Sequence, residues 1–435
     1  MNQINIALLG LGTVGSGVVK ILGSHGAEMA ERAGCRLALR HVAEADLTRP
    51  REGLDLAALP LTPDAARAIA DPEVHVVIEL IGGLEPARTL ILKALAAGKH
   101  VVTANKALLA HHGPEILEEA RRRRVLLGFE AAVAGGIPLI RAIKDGLPAN
   151  RILHAYGIVN GTCNYILTRM TEDGRDFAEA LKEAQARGYA EADPTLDVEG
   201  LDSAHKLLIL ATLAFRASVD LKDIYTEGIG RVGQEDVVNA GALGYRIKLL
   251  AIAKAQDGML ELRVHPTMIP AASPMAAVSG VFNGVFLTGD NVGDLMFYGR
   301  GAGQLPTASA VWSDTLEIAR RVAAGVPALD VDLPSVSRRP LPLRPMDDIR
   351  SAYYLRVMAM DRPGVLAQVA GILGQHDISL ASVLQKGRAQ GLAVPVVLMT
   401  HEARERDMRA ALQAIDGLPV VAGRTQMLRV EGPEP

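Results

Sequence analysis

Apolar and polar positions along this chain alternate between two spacings, one of strands and one of helices. Ile4 to Leu9 is a short, mostly apolar run of strand length, and Gly10-Leu-Gly12-Thr13-Val14-Gly15 follows at once. Val18 to Leu22 then resumes the apolar pattern in a segment of helical character. Further strands are predicted at Leu37 to Ala43, Val74 to Ile81, Val101 to Thr103 and Val125 to Phe129, with helices near Ala65 to Ile69, Glu85 to Ala97 and Pro114 to Arg123. Nearly continuous apolar strands alternating with helices predict an α/β fold with a doubly wound parallel sheet. That domain is expected to span residues 1–135.

The next stretch, 136–325, predicts a mixed α+β domain. Helices are expected at Phe177 to Arg187, Leu201 to Ala214 and Asn239 to Ala255. Strands are expected at Val264 to Ile269, Ala277 to Val281 and Val285 to Thr288, before a helix from Thr307 to Ala324 that returns to the first domain. Residues 326–350 are rich in proline and arginine and lack periodicity, which reads as a linker. In 351–430 the order is strand Tyr353 to Met360, helix Gly364 to Gln375, strand Ile378 to Gln385, strand Ala393 to Thr400, helix Glu402 to Ala414 and a last strand near Met427. A βαββαβ order in so short a stretch fits a ferredoxin-like unit.

Composition changes this picture little. A length of 435 residues calls for two or three cores, and a net charge of −3 gives no footprint for nucleic acid or an anionic membrane. Arg121 to Arg124 read as a solvated helix end. The two cysteines, Cys35 and Cys163, offer neither a disulfide framework nor a metal cluster. The longest apolar stretch, Leu207 to Phe215, has about half the residues a bilayer requires. The N-terminus lacks a basic start and its apolar run ends in a glycine turn, so a cytoplasmic location is expected.

Gly10-x-Gly12-x-x-Gly15 stands where a dinucleotide fingerprint must, between the first strand and the first helix. Glycines there allow a tight turn and let backbone approach a pyrophosphate, whose charge then faces the helix N-terminus. Thr13 and Val14 belong to the same turn. At the end of the second strand an acid favours NAD and an arginine favours NADP. Here Glu44 and Asp46 lean towards NAD, while Arg40, Arg49 and Arg51 nearby leave NADP open. Lys106, at the end of Val101-Val-Thr-Ala-Asn105, falls on the strand edge where open α/β sheets bind ligands.

The densest polar cluster runs from Gly188 through Glu191, Asp193, Asp197 and Asp202 to His205 and Lys206. Asp202 and Lys206 are four apart on one helical face, as an ordinary intrahelical ion pair would be. Five acids leading into an otherwise apolar helix are costly unless something cationic meets them, and a substrate ammonium and Lys206 would serve. Reduction of an aldehyde by hydride creates an alkoxide that needs a proton donor, a role Lys206 suits and His205 suits less. Two other readings stay open: a thioester mechanism on Cys163 in Asn160-Gly-Thr-Cys163-Asn164, and a nucleotide-binding regulator without turnover.

These residues, in this order, resemble homoserine dehydrogenase over nearly the whole chain. The resemblance rests on the glycine turn, Glu79-Leu-Ile-Gly82-Gly83 and Thr-Ala-Asn-Lys106. It rests equally on Phe129-Glu130-Ala-Ala-Val133-Ala-Gly135-Gly-Ile137-Pro, Val-Asn160-Gly-Thr-Cys-Asn164-Tyr, the Glu191 to Lys206 cluster and Gly299-Arg-Gly301-Ala-Gly303-x-x-Pro-Thr-Ala. It implies interconversion of L-aspartate 4-semialdehyde and L-homoserine with NAD or NADP, on the route to threonine and methionine. Lys206 is then the proton donor and Lys106 lies in the cleft. Glu191 and Asp202 hold the substrate with Asp197 in support and Gly188 beside them; Gly82, Gly301 and Gly303 face the cofactor. A sodium ion is implied at Glu130, Val133, Gly135 and Ile137. Many relatives carry an arginine where this chain has Ala45, which weakens the case for NADP. Asp361-Arg-Pro-Gly364-Val-Leu resembles an ACT domain, which implies a threonine effector near Asp361 and Gly364, with a purely oligomerising role as the alternative. A homodimer or homotetramer is expected, and a monofunctional chain, since no kinase-like region precedes the glycine turn.

Overall fold

The computed structural model describes residues 2–328, 341–385 and 392–432. The chain separates into two compact units, each built from several segments: 1–153, 205–223 and 287–340 form the first, and 154–204, 224–286 and 341–435 the second.

In the first unit, strand β1 (Gln3–Leu9) leads through the glycine turn into helix α1 (Thr13–Ala33). Then come β2 (Arg36–Ala43), β3 (Leu61–Thr62), α2 (Ala65–Ala70), β4 (Val76–Glu79), α3 (Ala87–Ala96), β5 (His100–Thr103), α4 (Lys106–Arg123) and β6 (Leu127–Gly128). The parallel sheet has the order β3-β2-β1-β4-β5-β6, a dinucleotide-binding topology that reverses direction beside β1. Ile6, Leu8, Val76, Ile78 and Val102 are fully buried, because helices cover both faces of the sheet. The arginine run closes α4, with Arg121 and Arg123 paired to Glu118 and Glu119 one turn back.

The helix Gln304–Ala323 belongs to this unit. It packs along α1, and the Trp312 indole donates to the carbonyl of Val18 at 2.9 Å. Gly17 permits the approach, since a Cβ there would stand 2.6 Å from the Gln304 carbonyl oxygen.

The second unit is organised on long antiparallel strands. Tyr245–Gln256 pairs with Met259–Pro270 across their whole length through the two-residue turn Asp257-Gly258, both at positive φ. The helix expected over Asn239 to Ala255 is therefore corrected. A helix covers only Gln234–Ala242, and Gly244 at φ 83° turns the chain into the strand. The strand expected at Ala277 to Val281 is also absent. Ser273 and Pro274 open a single tight turn over Pro274–Ala277, and strand resumes at Phe282.

The C-terminal stretch follows the expected βαββαβ order: Arg350–Met360, Val365–Gln375, Leu380–Gln385, Ala393–Thr400, Glu405–Asp416 and Gln426–Val430. Its sheet is continuous with the rest of the unit, because Gln426–Val430 pairs in parallel with Met259–Pro270 (Thr267 to Arg429, Met268 to Val430). Across this seam the fully buried Arg263 reaches Glu431 at 2.5 Å, and Lys254 bonds the other oxygen of that carboxylate at 2.5 Å. Residues 329–340 of the expected linker lie outside the described residues. Near its end, Pro342 and Arg344 hydrogen-bond the backbone of Leu260 at 2.8 Å each.

Candidate active site

In the first unit the chemistry collects on the carboxyl edge of β1, β4 and β5, three neighbouring strands. Gly10, at φ 96°, passes so near β4 that a Cβ would sit 2.7 Å from the Leu80 oxygen, and a Cβ on Gly15 would sit 2.1 Å from the Gly10 oxygen. Gly12 is different, since a Cβ there meets nothing within 4 Å. The fold itself requires Gly10 and Gly15, whereas Gly12 keeps open the space at the N-terminus of α1. A nucleotide pyrophosphate fits that space, with Thr13 and Val14 opening the helix beneath it.

Glu44, just past β2, accepts the Leu11 N–H at 2.8 Å, while Arg51 donates to the Leu11 carbonyl at 2.8 Å and lies 3.2 Å from Glu44. Burial opposes ionisation of Glu44, but the N–H groups of Leu11 and Asp46 and the Arg51 guanidinium outweigh it and hold the carboxyl below its usual range. Glu79 is fully buried at the end of β4. It accepts from the Thr103 hydroxyl at 2.7 Å and from the N–H of Ile81 and Gly82. Asn105 caps α4 through Leu108 N–H and donates to the Gly83 carbonyl at 2.7 Å, which sets Lys106 at the first position of the helix. Glu79 and Asn105 thus shape the edge that presents Gly82 and Lys106.

The turn from Glu130 to Ile137 packs against Gly301 in the same unit, where a Cβ on Gly135 would fall 2.3 Å from the Gly301 oxygen. Gly303, at φ 123°, starts the helix Gln304–Ala323. From that helix Asp314 accepts the Glu130 N–H at 2.8 Å, and the Glu130 carboxylate caps the following turn through Ile140 and Arg141 N–H, each at 2.8 Å. Burial pushes Asp314 up to about 7 and raises Glu130 as well. Val133 is buried and Ile137 is 3% exposed, so any ligand set at this turn draws on main-chain oxygens.

In the second unit Asn160 is the organising residue. It caps the helix Gly161–Glu172 by accepting Cys163 N–H at 2.8 Å. Its amide donates to Asp197 at 2.6 Å and to Asp202 at 2.9 Å, which brings two carboxylates onto one nitrogen. Asp202 is buried; four residues further along the same helix, Leu201–Ala214, Lys206 (8% exposed) already belongs to the first unit. Two adjacent carboxylates repel unless a cation stands beside them, and the cluster is therefore suited to an ammonium group. Gly188 (φ 72°) and Glu191 lie in the loop before it. There Tyr189 O accepts the Thr162 hydroxyl at 2.7 Å and Glu191 O accepts the Gln185 amide at 3.1 Å. The Glu191 side chain is exposed. Cys163 is fully buried and its thiol points to the Asp197 carbonyl at 3.1 Å, a structural placement rather than that of a nucleophile. His205 stacks edge-on against His111 at 5.5 Å, within the first unit.

Three family descriptions match the chain: the NAD-binding domain of homoserine dehydrogenase over residues 10–130, homoserine dehydrogenase over 138–316, and the ACT domain over 353–420. The homoserine dehydrogenase of Pseudomonas aeruginosa is 47% identical over 436 residues, covering 99% of each chain. The chain belongs to the homoserine dehydrogenase family. That of Neisseria gonorrhoeae is 44% identical, again over 99% of each chain. The crystal structure of a homoserine dehydrogenase from Thiobacillus denitrificans superposes with a TM-score of 0.93 at 46% identity over 99% of both chains, and that from S. aureus with 0.77 at 32%. Homoserine dehydrogenases are oxidoreductases, and this member carries the NAD-binding, catalytic and ACT portions that the sequence predicted. Among the described residues no helix is long and apolar enough to cross a membrane.

Sequence reasoning assigned no role to Asn160, Glu79 or Asn105. Each carries a signal in hindsight: a polar residue at the start of a helical pattern, or an acid closing an apolar strand.

Proposed function

We propose that this member interconverts L-aspartate 4-semialdehyde and L-homoserine by hydride transfer, with Lys206 as the proton donor. The observation that supports this most is Asn160 gathering Asp197 and Asp202 one helical turn before Lys206. A nicotinamide cofactor, when bound, supplies or accepts the hydride. Asp202, with Asp197 and Glu191, binds the substrate ammonium, and Gly188 gives the loop its turn. Lys206 hands a proton to the aldehyde oxygen as it gains charge, and Lys106 adds positive charge in the cleft. Gly10, Gly12, Thr13, Val14, Gly15, Gly82, Gly301 and Gly303 hold the cofactor. Engagement of Glu44 with Leu11, together with Ala45, favours NAD over NADP.

A sodium ion is assigned to the turn of Glu130, Val133, Gly135 and Ile137. The Glu130 carboxylate is committed to helix capping, and among the described residues no group of three or more His, Cys, Asp or Glu side chains is arranged to hold a metal. The donors there are accordingly main-chain carbonyl oxygens, which suit a hard monovalent cation. At the other end of the chain, Gly364 (φ 84°) caps the helix Val365–Gln375 three residues after Asp361, an open turn suited to a threonine effector. The enzyme acts as a cytoplasmic homodimer or homotetramer in threonine and methionine biosynthesis.

The test is homoserine oxidation by purified protein in sodium-containing buffer, with NAD and NADP in parallel and with or without threonine. Turnover that is faster with NAD and slowed by threonine is expected. Folded protein inactive with both cofactors would overturn the catalytic reading and leave the regulator.

A further inference from the structure

Between the tight turn at Pro274–Ala277 and the strand that starts at Phe282, the chain is held by side chains of the second unit. Three carbonyl oxygens there, on Val278, Gly280 and Phe282, share the Asn164 amide at 3.1, 3.0 and 3.1 Å. The Gly280 N–H donates to the Thr168 hydroxyl at 3.0 Å, and that hydroxyl donates to the Asn164 carbonyl at 2.6 Å. Lys248 completes the group. Its ammonium donates to the Val278 carbonyl at 2.6 Å and to the Asn164 side-chain oxygen at 3.2 Å.

A lysine is out of place at this position. Strand Tyr245–Gln256 puts residue 248 on the same face as Leu250 and Ile252, which share an apolar core with Ile158 and Val278. Lys248 is buried, and among the described residues no carboxylate lies within ion-pair distance of it. Burial, seconded by Arg246, draws its amine down to about 8 despite the attraction of Glu172. Such a cation is costly inside an apolar core, where a methionine would fill the same space. What it supplies is direction. An ammonium can only donate, so Asn164 must turn its oxygen to Lys248 and its nitrogen to the three carbonyls.

The stretch held in this way lies across the start of the helix Gly161–Glu172, where a Cβ on Gly161 would fall 2.9 Å from the Val281 oxygen. Gly161 follows Asn160, whose amide gathers Asp197 and Asp202, and the Asn164 N–H donates to the Asn160 carbonyl at 3.1 Å. We infer that Lys248 is a positioning residue for the substrate cluster: by orienting Asn164 it holds residues 278–282 against Gly161, and so fixes where Asn160 sets the two carboxylates. The inference rests on the proposed reading of Asp197 and Asp202 as the ammonium site.

Lys248→Met in the full chain tests it. Methionine removes the buried charge and leaves the Val278 carbonyl its bond from Asn164, so the variant is expected to melt near or above wild type. Its KM for homoserine is expected to rise at least tenfold, with kcat within threefold and NAD affinity within twofold of wild type. Hydrogen exchange read by mass spectrometry gives a second measure that needs no turnover. The amides of Cys163, Asn164 and Gly280 should exchange at least tenfold faster in the variant, and those of the parallel sheet as in wild type.

A homoserine KM within twofold of wild type, or unchanged exchange at these amides, overturns the assignment. Global unfolding of Lys248→Met overturns it equally, since the lysine would then serve the core as a whole. Should wild type turn over no homoserine, the substrate reading fails on that result alone, and the exchange comparison still decides whether Lys248 holds the helix start.

Discussion

Arg429 grips Glu405 through two hydrogen bonds, of 2.6 and 2.9 Å, in a pair from which water is excluded on both sides. The same guanidinium reaches Glu227 at 2.9 Å, and the Tyr353 hydroxyl donates to Glu405 at 2.9 Å. Without Arg429 the buried Glu405 keeps only the Tyr353 hydroxyl and Arg409, whose side chain is 41% exposed. Arg429→Ala is expected to lower unfolding stability by about 3–5 kcal/mol, read by urea denaturation. A loss below about 1 kcal/mol would show that water or a neighbouring cation satisfies Glu405.

Gly12 and Gly15 of the first turn are expected to fail differently. Gly15→Ala sets a methyl 2.1 Å from the Gly10 oxygen and should cost about 1–3 kcal/mol of stability through forced backbone movement. Gly12→Ala meets nothing and should melt near wild type, yet bind the nicotinamide nucleotide at least tenfold more weakly. Thermal unfolding and fluorescence titration separate the two; equal melting of both variants would refute the division of roles.

For Lys206→Ala a fall in kcat of about 10²–10⁴ is expected, the range for loss of a positioned proton donor, with cofactor affinity unchanged. Lys206→Arg should not rescue it, because a guanidinium does not release its proton. Retention of more than a tenth of wild-type kcat in either variant would move the donor role elsewhere.

Acid should loosen the parallel sheet. Burial, helped by the charges of His75 and Arg321, lowers His100 from its ordinary 6.5 to about 4, and its ring nitrogen accepts the Leu126 N–H at 2.9 Å. The unfolded chain therefore binds a proton between pH 6.5 and 4 that the folded chain refuses. Stability from this group is present above 6.5 and is lost as pH falls through that window. The ceiling is about 3 kcal/mol, less whatever solvent reaches the half-buried ring. His100→Gln should flatten the profile over that window in denaturation series; an unchanged slope would assign the acid sensitivity to other groups.

Local and periodic features were readable in the sequence; features made by distant partners were not. The strand–turn–helix at Gly10 to Gly15 and the helix Leu201–Ala214 fall where their patterns predict. The strand Tyr245–Gln256 was misread because both of its faces are covered, so its apolar residues do not alternate. Asp257-Gly258, the two-residue hairpin signal, was there to correct it. Asp197 and Asp202 stood out as acids before an apolar helix. Asn160, which joins them, lies 37 and 42 residues upstream, beyond the reach of any spacing rule. The same holds for Asp314 beneath Glu130, 184 residues away.

The parallel pairing of Arg429 and Val430 with Thr267 and Met268 decides what a shortened chain would be. Cutting at residue 350 removes the neighbour of Thr267 and Met268 and bares the main-chain donors and acceptors at the end of Met259–Pro270. It also deprives Arg263 and Lys254 of Glu431. Such a fragment would have an adhesive edge in place of a finished surface, and would join its own kind before it could act as a simpler enzyme.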